Sequence, residues 1–333
     1  MLLDPLRISM AVVVSAVALG WLAIASSPAV AQQSFPNKAL RVVNPNGPGG
    51  NSDAVFRLLT PKMTEVLGQQ IVFDYRPGAG GNIGTEMVAR AAPDGYTTLI
   101  AAASFLVNPS LLTNLPFDAE KDFTPLGVIV DIPTGLIVHP SLPVKNVQDL
   151  IALAKKRPGQ LNYSIAGQGA LGHLAGELLS AQAGIRIVAV PYKGAGPSIT
   201  DLMAGHVDFS FISMPAIFSQ LQSGRLRMIA QCGAKRFVTF ADVPTMVESG
   251  LKDFVFSSLF SYLGPAGVPQ PIVERLNGAL RTALTDPKIS RALIESGAQP
   301  IGSTPAEHAA VIRSEIAKWK RVAQAAGVKP DRL

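Results

Sequence analysis

Two glycine-rich segments near the start of the chain carry its clearest chemical signal. Residues 47–53 read GPGGNSD and residues 76–82 read RPGAGGN, and each segment lies between a strand-like run and a helix-like run. Glycine lets a ligand approach the backbone closely, and the first N–H groups of a helix carry a partial positive charge. The two segments therefore predict a site that binds an anion, either a carboxylate or a phosphate, through backbone amides.

The residues expected at this site follow from the same two junctions. The strand-like runs are 40–43 and 71–73, and the helices are predicted to begin near Ser52 and Asn82, with an Asn, Ser or Asp as N-cap. A bulky residue in place of Gly80 would occupy the anion site. The candidate ligand-binding residues here are Asn46, Gly47, Pro48, Gly49, Gly50, Asn51, Asp53, Gly78, Ala79, Gly80, Gly81, Asn82 and Ser104.

Asp53 lies at the start of the first predicted helix, where a carboxylate is favoured by the positive helix end. We favour a role in stabilising its own turn, because a buried carboxylate would repel a carboxylate ligand. If the ligand carries an amino group, Asp53 or Asp208 could instead pair with it.

The elements that must position these residues follow an α/β pattern. Strands are predicted at 39–44, 70–74, 97–102, 126–130, 135–138, 161–166, 186–190, 207–212, 226–231 and 254–263, mostly in parallel sheets with helices between them. Ten strands favour two sheets over one. Without a flexible linker between them, two compact lobes should be joined by strands that cross near 131–134 and near 254–258. We predict lobe 1 from 32–132 plus 256–333, an inserted lobe 2 from 133–255, and a ligand in the cleft.

Several helices have clear boundaries in the sequence. Asn146, with Asp149 three residues on, predicts a helix start, and a leucine stripe from Leu171 predicts a helix that stops at Gly184. Residues 304–307 read TPAE, a capping box with proline at the first helical position. The apolar faces of these helices are predicted to pack in the core.

Composition limits the class of protein. Residues 1–31 resemble a secretory signal peptide, with an apolar run at 11–25 and the cleavage site AVA at 29–31, although an uncleaved anchor is the alternative. The net charge is +6, but no run of basic residues exceeds three and aromatic residues make up 6% of the chain, so a nucleic-acid surface is not predicted. Cys232 is the only cysteine, which excludes an internal disulfide and favours a buried apolar role.

Residues 167–172 spell GxGxxG between a predicted strand and a helix, which is the context of a dinucleotide-binding loop. Such a site also requires an acidic residue about 20 positions on, and residues 187–191 read IVAVP. We therefore interpret this loop as the start of a lobe 2 helix that faces the ligand. No nucleophile elbow, HExxH motif or metal-ligand spacing occurs, so we predict neither an enzyme nor a cofactor or metal.

The chain closely resembles the tripartite tricarboxylate transporter receptors, also called the Bug family of periplasmic solute-binding proteins. The resemblance runs through twelve or so segments in order, among them NGPGGNSD (46–53), DYRPGAGGNIGTE (74–86), LPFDAEKDFTPL (115–126), VPYKGAGPSITDLMAGHVDF (190–209) and DVPTMVESG (242–250). It implies a two-lobed periplasmic-binding-protein fold (Venus flytrap, type II). It also implies a small organic carboxylate as ligand, held by loops 46–53 and 77–82.

The same resemblance implies that lobe 2 closes with loops 166–173 and 191–197. The candidate residues there are Gly167, Gly169, Ala170, His173, Tyr192, Lys193 and Ser213. Lys193 is predicted to face either the cleft or solvent, with no preference between the two. For His173 we favour a structural hydrogen bond over contact with the ligand. The implied partner is a membrane permease, with a sensor as the alternative, and we expect a monomer in the periplasm of a Gram-negative bacterium. The alternative function from another class is a secreted nucleotide-dependent or hydrolytic enzyme.

Departures from the family pattern bear on the ligand. Asn46 stands where the family often has an aromatic wall, and residues 170–172 read ALG where hydroxyl side chains are common. Fewer hydroxyls in lobe 2 suggest a ligand with one well-held carboxylate and a less polar remainder, with a di- or tricarboxylate as the alternative.

Overall fold

The computed structural model describes residues 35–48, 50–166, 170–325 and 330–332. The chain divides between Asn37 and Lys38, and every element below belongs to the unit that begins at Lys38. The strands are β1 (Leu40–Asn44), β2 (Ile71–Tyr75), β3 (Thr97–Ala101), β4 (Leu112–Thr113), β5 (Phe123–Val138), β6 (Asn162–Ile165), β7 (Val188–Pro191), β8 (Phe209–Ser213), β9 (Arg227–Gln231), β10 (Ser257–Pro265), β11 (Gln299–Pro300) and β12 (Asp331–Arg332). The helices are α1 (Asn51–Leu67), α2 (Asn82–Ala89), α3 (Ser104–Leu111), α4 (Val147–Lys156), α5 (Leu171–Ala183), α6 (Ala195–Ala204), α7 (Met214–Gln222), α8 (Gln270–Thr285), α9 (Pro287–Glu295) and α10 (Pro305–Ala325).

Most of the strands are joined in the order β2-β1-β3-β10-β5-β8-β6-β7, with β9 and β11 also paired to β5. Strands β2, β1 and β3 are parallel to one another, and so are β7, β6 and β8. The two strands in the middle, β5 and β10, are antiparallel to their neighbours. The predicted parallel α/β layering is therefore confirmed for the outer strands but not for the two central ones.

Strand β5 spans both halves of this arrangement. Its residues 123–133 pair with β10, whereas residues 134–138 pair with β8 and β9. The prediction of two separate strands at 126–130 and 135–138 was wrong, because the polar and proline positions between them continue the same strand of 16 residues. The division into lobes at 132/133 and 255/256 stays a prediction.

Local signals placed two helix starts correctly. The Asp149 N–H donates to Asn146 Oδ1 at 2.8 Å, so Asn146 is the N-cap of α4. At the start of α10, the Thr304 N–H donates to Glu307 Oε2 at 2.8 Å and the Glu307 N–H donates to Thr304 Oγ1 at 3.2 Å. These reciprocal bonds form the predicted capping box, and they satisfy helix N–H groups that would otherwise lack partners.

The predicted apolar stripes are in the core. Leu174 and Leu179 of α5 are fully buried, and the Tyr163 ring stacks on Phe209 with centroids 5.4 Å apart. Helix α5 approaches β6 so closely that a Cβ atom at Gly176 would lie 2.2 Å from Tyr163 Cζ. Cys232 is fully buried, as predicted, and burial raises the pKa of its thiol.

Candidate functional site

The first glycine segment connects β1 to α1, and Asn44 at the end of β1 organises it. Asn44 Oδ1 accepts hydrogen bonds from the Asn46 N–H at 3.0 Å and from Ser52 Oγ at 3.1 Å. Because a backbone N–H can only donate, this contact identifies which amide atom of Asn44 is the oxygen. Asn44 Nδ2 is buried and has no acceptor among the described residues. Sequence reasoning did not include Asn44 in the site, although its place just before the glycine run was an available signal.

The N-cap residues of the first two helices are not the Asn, Ser or Asp that we predicted. Gly50 is the N-cap of α1 and Gly81 is the N-cap of α2, and neither helix has a side-chain cap hydrogen bond. The predicted capping residues bond elsewhere: Ser52 Oγ donates to Asn44, and Asn82 Oδ1 accepts from Asn108 Nδ2 at 3.0 Å. No side chain therefore caps the first turns of these helices. The Asn82 N–H donates to the Ala79 carbonyl oxygen in the 3₁₀ turn, and the other N–H groups at the two helix starts are candidates for contact with a ligand.

The second glycine segment connects β2 to α2 through a short 3₁₀ turn, Ala79–Gly81. Gly78, Ala79, Gly80 and Gly81 all have positive φ angles, of 134°, 48°, 66° and 95°. Only glycine adopts such angles freely, which explains why this segment is so rich in it. The chain thus turns sharply and presents backbone rather than side chains at this point.

The two segments meet. A Cβ atom at Gly84 would lie 3.1 Å from Pro45 Cα, and one at Gly81 would lie 3.4 Å from Pro45 Cβ. The loop after β1 therefore packs directly against the start of α2. Since β1 and β2 are parallel, their carboxyl ends lie at one edge, and α1 and α2 both begin there. This is the arrangement that the sequence predicted for an anion site.

Asn82, Ser104 and Asn108 complete this part of the site. Asn82 is buried, and its Nδ2 has no acceptor among the described residues. Ser104 Oγ, at the start of α3, lies 3.7 Å from the Cβ position of Gly81. Asn108 was not predicted as a site residue; it lies 3.0 Å from Asn82, a proximity that comes from the packing of α3 and has no local sequence signal.

Asp53 forms hydrogen bonds with two nearby side chains, those of Tyr75 and Arg57. It is buried, and its Oδ1 accepts hydrogen bonds from Tyr75 Oη at 2.6 Å and from Arg57 Nε at 2.9 Å. Burial, together with this hydrogen bond to Asp53, raises the pKa of Tyr75. The contacts support the structural role for Asp53, because they tie the first turn of α1 to the end of β2.

A cavity of about 210 Å³ lies where β5, β6 and β8 meet the helices that follow β6, β7 and β8. Its walls are apolar at Leu171, Ile199, Phe211 and Ile212, with Ala170 and Gly172 at the start of α5. Hydroxyl groups line it as well, on Thr134, Ser198, Ser210, Ser213 and Ser258. Of the candidate residues named individually from the sequence, Ala170 and Ser213 line the cavity. Four more lining residues lie within the predicted closing loops 166–173 and 191–197, namely Ala166, Leu171, Gly172 and Ala195. Thr134 and Ser258 lie on the crossing strands, where no motif marks them.

His173, Tyr192 and Lys193 were also predicted as site residues, but they are not among the described residues that line this cavity. His173 Nε2 lies 3.8 Å from Glu177 Oε1 on the same helix. Tyr192 Oη donates to Asp201 Oδ2 at 2.6 Å, and burial, helped by Asp201, raises the Tyr192 pKa to about 12. Lys193 is exposed. Gly49, Gly167 and Gly169 lie outside the described residues, and so does the leader predicted at 1–31.

Two other kinds of site are absent from the described part of the chain. No cluster of three or more His, Cys, Asp or Glu side chains in that part is arranged to hold a metal ion. None of the helices in these ranges is both long and apolar enough to cross a membrane.

Comparison with known proteins identifies the family. The family model described as the tripartite tricarboxylate transporter family receptor matches residues 55–328. The chain belongs to this receptor family. The receptor is 34% identical to Protein BugT of Bordetella pertussis over 302 residues, which is 90% of this chain and 93% of BugT.

Solved structures agree with this assignment. The receptor is 36% identical to Rpa4515 of R. palustris, solved with adipate, with a TM-score of 0.78 over 89% of this chain and 100% of the other. It is 30% identical to MatC (Rpa3494) from Rhodopseudomonas palustris, solved with bound malate, with a TM-score of 0.73 over 86% of this chain and 99% of the other. The fold is therefore the two-lobed α/β fold of periplasmic binding proteins, and the receptor is a solute-binding protein of the Bug type.

Proposed function

We propose that the protein is a periplasmic receptor that captures a small organic carboxylate between its two lobes. The observation that carries this proposal is the contact of Pro45 with Gly81 and Gly84, which brings two helix starts without side-chain caps to one edge. A carboxylate would accept hydrogen bonds from those N–H groups and from the Nδ2 groups of Asn44 and Asn82, which have no acceptor among the described residues. No catalytic step is part of the proposal.

The relatives support the chemical class of the ligand. Rpa4515 was solved with adipate and MatC with malate, and both molecules are small organic carboxylates. The candidate residues of both segments, from Asn46 to Asn51 and from Gly78 to Asn82, would form the part of the site that belongs to lobe 1, with Asp53 holding the first turn of α1 in place. Ala170 and Ser213 would contribute from lobe 2.

A thermal-shift screen tests this proposal. The purified protein is unfolded and refolded to remove bound ligand, and is then heated with mono-, di- and tricarboxylates, aromatic acids, acidic amino acids and nucleotides. A ligand that binds only the folded state adds about 2.7 kcal/mol of stability at a hundredfold excess over its Kd. We expect at least one carboxylate to raise the melting temperature. A response to nucleotides, with none to carboxylates, would refute the proposal.

We also propose that the protein is exported by its leader and delivers its ligand to a permease of the tripartite tricarboxylate type. The family assignment supports this partner. Uptake of the ligand identified in the screen should be lost when the receptor gene is deleted, and should return with the wild-type gene. Unchanged uptake in the deletion strain would point away from transport and towards a sensory role.

A further inference from the structure

We infer that the end of the lobe 2 strands opposite the candidate cavity is a basic docking surface, and that its partner is an anionic phospholipid bilayer. This surface is called the basic end below. The inference goes beyond the proposed function, because it concerns where the receptor resides rather than what it captures. No run of basic residues in the sequence exceeds three, so the surface depends on the fold.

Strand pairing gathers five turns at the basic end. Strands β6, β7 and β8 are parallel, so their amino ends lie together. Val138, at the end of β5, pairs with Phe209 at the start of β8 and with Arg227 at the start of β9. The Gly159 N–H donates to the Arg186 carbonyl oxygen at 2.9 Å, which joins two of the turns directly. The five turns comprise residues 139–145, 155–161, 184–187, 205–208 and 223–227.

The charge of these turns is strongly positive. They contain seven lysine and arginine residues and one acidic residue, Asp208. Two further acids contact the turns: Asp149 Oδ2 accepts from the Lys145 N–H at 2.8 Å, and Asp201 Oδ1 lies 3.3 Å from His206 Nδ1. The basic end therefore keeps a net positive charge even when all three acids are counted.

Most of the seven cations are exposed and lack an acidic partner. Arg227 is the exception, because its guanidinium donates to the carbonyl oxygens of Leu142 and Val144 at 3.1 and 2.6 Å. The other six are exposed and form no salt bridge within the described part of the chain: Lys145, Lys155, Lys156, Arg157, Arg186 and Arg225. By contrast, six cations nearer the start of the chain all form salt bridges, namely Arg41, Arg57, Lys62, Arg76, Arg90 and Lys121. The charges of the basic end thus remain available to an outside anion.

Helix stabilisation accounts for only part of this charge. Helices α4 to α7 all end at these turns, and the negative end of a helix favours a nearby cation. Lys155 and Lys156 lie in the last turn of α4, but α5, α6 and α7 have no basic residue in their last turns. Arg157, Arg186 and Arg225 lie beyond the helices, where that explanation does not reach.

The position of the basic end indicates a bilayer as its partner. The carboxyl ends of β6 and β8 lie at the candidate cavity, so the basic end is at the opposite end of the same strands. A permease that selects loaded receptors must contact residues whose relative positions change when the lobes close. The basic end lies within one predicted lobe and does not report closure, whereas a bilayer is recognised by charge alone. Each Lys or Arg near an anionic membrane strengthens binding by about fivefold.

Vesicle co-sedimentation tests this inference. The protein is purified in its exported form, because an apolar leader would itself bind vesicles. The vesicles contain either equal parts of phosphatidylglycerol and phosphatidylethanolamine, or phosphatidylcholine alone. The basic-end variant carries Lys155→Gln, Lys156→Gln, Arg157→Gln and Arg186→Gln. The matched control has the same net charge and changes four exposed cations of α9 and α10, as Lys288→Gln, Arg291→Gln, Lys320→Gln and Arg321→Gln.

We expect the wild-type protein to bind the phosphatidylglycerol vesicles but not the phosphatidylcholine vesicles, and to be released when salt rises from about 0.1 M to about 1 M. The basic-end variant should bind at least about tenfold more weakly, and the matched control should bind like wild type. A variant with Lys155→Arg and Lys156→Arg should also bind like wild type, because it keeps the charge. A carboxylate that raises the melting temperature should leave vesicle binding unchanged.

Absence of binding to the phosphatidylglycerol vesicles would overturn this inference. So would an equal loss of binding in the two four-residue variants, because net charge alone would then be responsible. If wild type ignored the vesicles but the basic-end variant lost uptake in cells, the partner would be an acidic protein surface and the inference would fail. These outcomes leave the proposed function intact, since that is tested by carboxylate binding.

Discussion

Gly47 and Gly80 both belong to the candidate anion site, but they tolerate side chains differently. Gly80 has a φ angle of 66°, so any larger residue there is strained whether or not a ligand binds. Gly47 has no positive φ, and a Cβ atom there would have nothing within 4 Å. The Gly80 substitution suggested by the sequence would therefore confuse misfolding with loss of binding, and Gly47 is the better position.

Gly47→Leu should remove carboxylate binding without unfolding the protein. The new side chain fits the open space at the first glycine segment and blocks the approach to the helix N–H groups. We expect affinity to fall by at least about tenfold, or roughly 1.4 kcal/mol, with an unchanged melting temperature of the empty protein. Gly278→Leu, on the exposed side of α8, is the control that should bind normally. A Gly47→Leu protein that binds as tightly as wild type would exclude this segment from the site.

His308 is a second residue whose environment has a measurable consequence. Its Nδ1 accepts from the Gly127 N–H at 3.1 Å, so its Nε2 carries the proton and faces Ser261 Oγ at 2.9 Å. The ring is fully buried, and burial lowers the pKa of His308 from 6.5 to about 3. Below pH 6.5 the unfolded chain therefore binds a proton that the folded protein does not.

This difference should make the protein less stable in mild acid. The contribution of His308 to the free energy of unfolding is fully present above pH 6.5 and is lost progressively as the pH falls towards 3. About 2 kcal/mol of it is lost by pH 5. Urea unfolding at pH 7 and pH 5 measures it. His308→Gln, which does not titrate, should show a smaller pH dependence, although it is less stable at pH 7. If both proteins lose the same stability between these values, the ring is not held neutral.

At the scale of elements, helix α5 is held unusually close to β6. Gly176 lies inside this helix, where alanine is normally preferred by about 1 kcal/mol. However, a Cβ atom at this position would lie 2.2 Å from the Tyr163 ring, which is fully buried and stacked on Phe209. The close packing of α5 on β6 therefore requires glycine at this position, although glycine has a low helix propensity.

Gly176→Ala and Gly278→Ala should thus have opposite effects on stability. Gly176→Ala should destabilise the protein by about 1–3 kcal/mol, because the ring and helix must move apart. Gly278→Ala is on a helix with open space around the new methyl group and should stabilise by about 0.5–1 kcal/mol. Urea unfolding of both variants gives the comparison. A neutral or stabilising Gly176→Ala would mean that α5 lies further from β6 than described.

Strands β5 and β10 are the elements that relate the two halves of the molecule. The pairing of β5 changes between Pro133 and Thr134, from β10 to β8 and β9. The candidate cavity includes Thr134 and Ser258 at this change of partner. A ligand bound there would touch β5 and β10, the strands that are predicted to cross between the lobes.

At the scale of the whole molecule, the proposed function requires closure on the ligand. Proteins of this fold enclose ligands by hinge motion, in which a few residues change their backbone angles. We expect the radius of gyration measured by X-ray scattering to decrease when a saturating carboxylate is added. The Gly47→Leu protein, treated in the same way, should show no change. Superimposable scattering curves with and without a ligand known to bind would contradict closure.

The sequence by itself determined the features that depend on neighbours along the chain. The capping box at Thr304 and Glu307 and the Asn146 cap follow from residues three apart, so they were predictable with their hydrogen bonds. The two glycine segments were also visible, because the need for positive φ angles limits the choice of residue at each position. The alternation of strands and helices is also a pattern of residues close in the chain, and it predicted the α/β class of fold.

The tertiary structure decided what depends on residues distant in the chain. The prediction of two strands in place of β5 failed because the polar and proline positions at 131–134 look like a break until their partners in β10 and β8 are known. Ser52 and Asn82 do not cap their helices because Asn44 and Asn108 compete for their side chains. Thr134 has no motif around it, and its place on the cavity wall became evident only when β8 and the helices were placed beside it. Hydrogen-bond competition and burial are properties of the packed chain, so no local pattern could specify them.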